Sequence, residues 1–151
     1  MQIRFTKAGY EKLKKERDEL LTKRPFVVED LKKAREMGDL SENGYYKASR
    51  VILSSVDRRL RIITSTIKQA VIVGSTHNYS GLVSIGSTVT LSDGKKELIY
   101  TVVGDLEADP SEGKISLLSP LGKAIEGKRI SHLAELNTPT GKITYKIITI
   151  V

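Results

Sequence analysis

The 151-residue chain has no cysteine and no tryptophan, and only two phenylalanines, four prolines and two histidines. Without thiols it can build neither a disulfide framework nor a thiolate zinc site, and the lack fits a protein of the reducing cytoplasm. No apolar run approaches the ~20 residues of a membrane span, so no membrane partner is expected. The start, Met1-Gln2-Ile3-Arg4-Phe5-Thr6-Lys7, has no apolar h-region, and secretion is not expected either. There is no Ser/His/Asp set, no Gly-rich phosphate loop and no paired-histidine metal spacing. His77 sits alone in a polar connection and His132 at the start of a strand-like stretch, both without a catalytic neighbour. A self-contained enzyme is therefore not expected.

What the chain does have is 39% apolar and 28% charged residues, the composition of a globular protein with one ordinary domain or two small ones. Its net charge of +7 is unevenly placed. Residues 1–74 carry 17 Lys/Arg against 10 Asp/Glu, whereas residues 75–151 carry 8 against 8. The excess lies wholly in the first part and points it towards a polyanion. A lysine-rich solvated helix surface would look similar.

That first part reads as two long helices. Thr6 is an N-cap candidate before Tyr10, Leu13, Leu20, Val27, Leu31 and Ala34, of which 13, 20, 27 and 34 repeat at heptad spacing. Pro25 falls inside the run, and a bend near Arg24-Pro25 is expected in place of two separate helices, because apolar spacing resumes in phase at Val27. From Tyr46 the positions 46, 49, 53, 56, 60, 63, 67 and 70 alternate steps of three and four, which is a coiled-coil seam. Lys47, Arg50, Arg58, Arg61 and Lys68 fall within an arc of about 80° facing away from that seam. Asp57 is the only acid between Lys47 and Lys68.

Between the two helical runs lies Gly38-Asp39-Leu40-Ser41-Glu42-Asn43-Gly44-Tyr45-Tyr46. Gly38 can end one helix, and Asp39 with Glu42 three residues on has the arrangement of a capping box for the next. The stretch predicts the tip of an antiparallel hairpin, with two carboxylates at its far end. Two such groups ~5 Å apart repel by about 3 kcal/mol at an effective dielectric of 20, a cost that a divalent cation relieves. Hard oxygen ligands suit Mg²⁺, which keeps most of its waters and uses few protein carboxylates. The alternative is that Asp39 and Glu42 only satisfy backbone N–H groups, with Ser41 able to share that duty.

The connection 74–81 is polar and glycine-bounded, and beyond it the period changes to that of strands. Strand-like pieces at 87–91, 97–103, 114–118, 132–137 and 142–151 are separated by turn sequences, and 119–127 has Ser at N-cap, Pro at N1 and Gly beyond its end, the pattern of one short helix. The expected architecture is α+β: an antiparallel coiled-coil domain over 1–74 and a small, mostly antiparallel sheet with one short helix over 75–151.

Ala34-Arg35-Glu36-Met37-Gly38-Asp39-Leu40-Ser41-Glu42-Asn43 closely resembles the hairpin-tip motif of the bacterial Gre transcript cleavage and elongation factors, and the run from Glu112 through Ser119-Pro120-Leu121-Gly122-Lys123-Ala124 resembles their second signature. The resemblance spans nearly the whole chain in the same order. It implies a monomer whose coiled coil enters the secondary channel of bacterial RNA polymerase, and whose FKBP-like second domain docks at the channel rim on the β′ subunit. It implies that Asp39 and Glu42 help to bind a Mg²⁺ ion shared with the polymerase, which then cleaves the displaced 3′ end of a backtracked RNA. Ser119 and Pro120 match the docking segment. Lys47, Arg50, Arg58, Arg61 and Lys68 would lie along RNA or channel walls, an assignment resting on the charge track more than on a motif.

The chain departs from the family pattern at several positions. The usual Glu-Asn-Ala-Glu-Tyr is Glu42-Asn43-Gly44-Tyr45-Tyr46 here, with Tyr45 able to stack on an unpaired base or to pack on the neighbouring turn, and the usual Gly-Asp of the second domain is replaced by Ser131-His132. Three other readings compete: a non-cleaving paralogue that occupies the same channel, a prolyl isomerase or peptide-binding module, and a generic nucleic-acid-binding coiled coil. The isomerase would need an aromatic-lined pocket, for which the second part offers only Tyr79, Tyr100 and Tyr145.

Overall fold

A computed structural model of the chain describes residues 1–38, 42–74 and 80–151. Helix α1, Lys7–Glu36, is one helix that continues through Pro25, and helix α2 spans Gly44–Gln69. Thr6 caps α1 as its sequence suggests, its Oγ1 accepting from the Gly9 N–H at 3.0 Å. The chain divides into two compact units, Glu11–Gln69 and a second made of Met1–Tyr10 with Ala70–Val151. The second of these units thus joins the start of the chain to the part that follows Gln69. The physical reason is a short parallel ladder that the sequence did not reveal: β1, Ile3–Phe5, pairs with β2, Ala70–Ile72. Three-residue strands carry too little periodicity to stand out beside long helices.

Within Glu11–Gln69 the two helices run antiparallel. Arg24 pairs with Asp57 and Arg59 with Glu16, each at 2.6 Å, so α1 numbers fall as α2 numbers rise. Every α2 seam residue, Tyr46, Ser49, Leu53, Val56, Leu60, Ile63 and Ile67, is buried or half-buried, as are Leu13, Leu20, Val27, Leu31 and Ala34 of α1. Ile63 and Ala34 are completely buried. Burying a Val, Leu or Ile side chain contributes about 1.5–3 kcal/mol, so the seam holds the hairpin, and the half-exposed ion pairs mainly fix its register.

The other unit is built on a five-stranded sheet in the order β5-β4-β3-β7-β6. Its strands are β3, Thr88–Ser92, β4, Glu97–Val103, β5, Lys114–Ser116, β6, Leu133–Thr138, and β7, Gly141–Ile150. Three of the four pairings are antiparallel and β4·β5 is parallel. One face packs on a core of Val83, Ile85, Val89, Leu91, Val102, Ile115, Leu117, Ile125, Ala134 and Ile147. The short helix α3, Pro120–Ile125, closes it, with Ile125 completely buried. Tyr100 and Tyr145 pack against this core, so these two aromatics are used in folding, and Tyr79 lies outside the described residues.

The N-terminal strand is fastened to the segment after β4. Arg4 donates from Nη2 to Asp105 Oδ1 at 2.9 Å, and the Asp105 N–H returns a bond to the Arg4 carbonyl at 2.8 Å. Glu107 accepts from the Thr6 and Gly104 backbone N–H groups at 2.7 and 2.9 Å. Neither acid was visible as an anchor in the sequence, because their partners lie about a hundred residues away.

Ser131 is the one non-glycine residue with a positive φ among those described, at 73°. Its N–H donates to the Ile147 carbonyl at 2.8 Å, and His132 Nδ1 accepts from the Arg129 N–H at 3.2 Å, so the turn before β6 is tightly held. A left-handed residue other than glycine costs roughly 1–2 kcal/mol. Ser131→Gly is therefore expected to raise the unfolding free energy by about 1 kcal/mol in a denaturant titration, with an unchanged m-value.

Candidate functional site

The tip is organised by Asn43, which sequence reasoning passed over in favour of Asp39, Ser41 and Glu42. Asn43 Oδ1 accepts from the Tyr46 N–H at 3.0 Å, the N-cap bond of α2. Its Nδ2 donates to the Ala34 carbonyl at 2.8 Å, in the last turn of α1. One side chain thus closes both helix ends, and the signal was present: an Asn three residues before the first seam position. Gly38 has φ 125°, a conformation only glycine takes readily, and so ends α1 as expected.

With Asn43 as cap, Glu42 has no capping duty. It is exposed, and among the described residues no hydrogen bond or ion pair engages its carboxylate. Asp39 and Ser41 lie outside the described residues, as does His77. Among the described residues no three His, Cys, Asp or Glu side chains converge as a metal cage. A single free carboxylate is a fitting hard-oxygen donor for Mg²⁺ if other ligands come from elsewhere.

Below the tip, Tyr46 lies between two guanidinium groups, Arg35 of α1 at 5.9 Å and Arg50 of α2 at 5.8 Å from its ring centroid. Arg35 was missed as a candidate, since only the folded hairpin brings it beside Arg50. Cation–π contact orients both cations without neutralising them. Lys47, Arg50, Arg58, Arg61 and Lys68 are all exposed. Asp57, the acid within their stretch, is taken by Arg24, whose hydrogen bond holds the carboxyl below its ordinary range. No ion pair among the described residues occupies any of the five, so the track keeps its full charge. Lys47, Arg50, Val51 and Ser54 line one shallow cleft. A larger cleft along α1, between Glu11 and Phe26, mixes charges of both signs and touches none of these residues.

The third candidate segment starts α3. Ser119 Oγ accepts from the Gly122 N–H at 3.0 Å and donates to the Ser116 carbonyl at 2.7 Å, so this side chain is committed to the turn. Its neighbours Leu118 and Pro120 are exposed. Ser119 thus holds the turn, and Leu118 and Pro120 are the exposed side chains on either side of it.

No helix among the described residues is long and apolar enough to cross a membrane. Two family profiles match the chain in sequence. "Transcription elongation factor, N-terminal" covers residues 3–72, and "Transcription elongation factor, GreA/GreB, C-term" covers residues 78–151. Transcription elongation factor GreA of Neorickettsia sennetsu is 39% identical over 97% of this chain and 94% of its own length. The GreA of Geobacillus kaustophilus is 42% identical over 99% of this chain and 96% of its own. Among solved structures, the GreA factor homolog 1 (Gfh1) of Thermus thermophilus is 28% identical over the whole of this chain and 99% of that one, with a TM-score of 0.46. An antiparallel helical hairpin followed by a sheet with one short helix, matched in both halves by these profiles, makes this chain a member of the GreA/GreB family of transcription elongation factors.

Proposed function

We propose that this protein inserts its helical hairpin into the secondary channel of bacterial RNA polymerase and stimulates the polymerase's own cleavage of backtracked RNA 3′ ends. The observation that carries the reading is the division of labour at the tip: Asn43 closes both helix ends, leaving the exposed Glu42 carboxylate unspent. Asp39, three residues earlier, is its proposed partner. When bound between these acids and the polymerase, Mg²⁺ supplies the Lewis acidity that polarises water and phosphoryl oxygen for phosphodiester hydrolysis. Alone, the two carboxylates would hold an ion weakly, which is why the activity belongs to the polymerase and the chain is not itself an enzyme.

The exposed, unpaired track from Lys47 to Lys68 supports a path along RNA phosphates or acidic channel walls, since each neutralised phosphate releases condensed counterions. Leu118 and Pro120, presented by Ser119, are the proposed contact with the β′ subunit at the channel rim. In this reading the protein works as a cytoplasmic monomer. The rival of a non-cleaving paralogue shares the hairpin and the docking segment, and an Asp39/Glu42 pair without further tip acids favours cleavage over it.

The test adds wild-type protein to stalled, backtracked transcription complexes and follows RNA length. Shortening faster than with polymerase alone is the expected result, and its absence at saturating protein would favour the non-cleaving paralogue. Pro120→Asp should weaken binding to polymerase by tenfold or more, about 1.4 kcal/mol, because a charge would enter an apolar contact.

A further inference from the structure

We propose that the flank of α2 marked by Tyr45, Ala48, Ile52, Ser55 and Ile62 is a second packing seam, which takes an amphipathic helix of the polymerase channel wall; the inference rests on the function proposed above. Each of these residues stands one position before a residue of the hairpin seam, at 46, 49, 53, 56 and 63, and so about 100° round the helix from it. With Arg59 the row reads 45, 48, 52, 55, 59 and 62, again in steps of three and four, the spacing that a helix partner matches. Lys47, Arg50, Arg61 and Lys68 each stand one position after a seam residue, on the opposite flank. Helix α2 thus presents two exposed flanks of unlike chemistry.

On the flank that starts at Tyr45 the polar groups of Ser55 and Arg59 are already engaged. Tyr45, Ile52 and Ile62 are 48, 46 and 46% exposed, and Ala48 and Ser55 are exposed with them. Ser55 Oγ donates to the Ile52 carbonyl at 2.8 Å. Arg59, the one charged residue of the row, donates twice to the Glu16 carboxylate of α1, at 2.6 and 2.8 Å, and holds that carboxyl below its ordinary range. A partner settling here therefore strips water from little that is unpaired. Positions flanking the seam of a two-helix coiled coil are commonly Glu or Lys, so apolar residues repeated there mark a helix that packs on two partners, of which the chain supplies one. Large side chains at 45, 52 and 62 alternate with small ones at 48 and 55, giving a partner helix both knobs and holes. RNA phosphates are drawn instead to the opposite flank, whose cations are unpaired. The row runs about 25 Å and, at a helix width of about 10 Å, offers roughly 250 Å². A free-standing dimer needs about 800 Å² on each partner. The row therefore suits a contact made after another segment has tethered the chain to polymerase, when effective concentration replaces area.

The test is equilibrium binding of the full chain to RNA-free polymerase without Mg²⁺, read by competition. Ile52→Glu and Ala48→Lys should each weaken binding about tenfold, whereas Leu21→Glu, at an exposed apolar position of α1 outside the row, should change it less than twofold. Lysine is a good helix former at an exposed site, so Ala48→Lys keeps its melting midpoint and reads the contact apart from folding. Losses no larger than that of Leu21→Glu overturn the proposal. Tighter binding by Ala48→Lys beside weaker binding by Ile52→Glu also overturns it, since the row would then face an acidic surface. A loss seen only with backtracked RNA present would make RNA the occupant, and a wild-type dimer in sedimentation that Ile52→Glu dissolves would make it a second copy; either result overturns the proposal. If wild type stimulates no cleavage while the row variants still lose affinity, the cleavage reading fails and the second seam stands. If cleavage is stimulated and the row variants bind as wild type does, the second seam alone fails.

Discussion

Glu42→Ala is expected to reduce stimulated RNA cleavage by about a hundredfold or more, near 2.7 kcal/mol of barrier, while binding to polymerase changes by no more than about twofold. The asymmetry follows from where the carboxylate stands. Glu42 is exposed and holds neither the cap nor any ion pair among the described residues, so its removal leaves the hairpin intact. Asn43 retains its bonds to Tyr46 and Ala34 in the variant. Asp39→Ala should behave likewise. A binding loss as large as the cleavage loss would show instead that the acid serves docking, and competition between variant and wild type for stalled complexes separates the two.

Gly122→Ala should be the most destabilising single-methyl change in the sheet unit. A Cβ there would stand 2.0 Å from the Ser116 carbonyl oxygen and 2.8 Å from Leu117 Cα, both backbone atoms that no rotamer change can move aside. Helix α3 would have to lift from the turn after β5, undoing the Ser119 cap and uncovering Ile125. Overpacking costs about 1–3 kcal/mol where a core can adjust, and about 3 kcal/mol or more is expected here because the obstacle is main chain. For a unit of this size that lowers the melting midpoint by roughly 12–24 °C, which calorimetry reads directly. Gly44→Ala is the matched control: its Cβ enters open space, so the midpoint should hold or rise slightly. Because Leu118 and Pro120 sit on the segment that α3 anchors, Gly122→Ala should also weaken polymerase binding.

Much of this arrangement was legible in the chain because period and punctuation are local signals. The seam from Tyr46 to Ile67 is buried or half-buried at every position read from the sequence, and β4 spans Glu97–Val103 as its pattern indicates. Ser119, Pro120 and Gly127 announced α3 through cap chemistry that acts within a few residues. What stayed hidden needed partners distant in sequence. The β1·β2 ladder and the Arg4–Asp105 pair join residues that no window of the chain holds together, and the Arg35–Tyr46 contact exists only once the hairpin closes. At the tip the spacing left open whether the acids cap the helix or stand free; Asn43, next to the first turn of α2, takes the N-cap bond, and Glu42 is left free.

The sharpest measurement is the Mg²⁺ dependence of RNA cleavage in stalled complexes with no factor, with wild type and with Glu42→Ala. If the tip lends its carboxylates to a shared ion, wild type should lower the Mg²⁺ concentration for half-maximal cleavage, and Glu42→Ala should return it towards that of polymerase alone. A wild-type midpoint equal to that of polymerase alone, with cleavage nonetheless accelerated, would mean that the hairpin acts on the RNA and not on the metal.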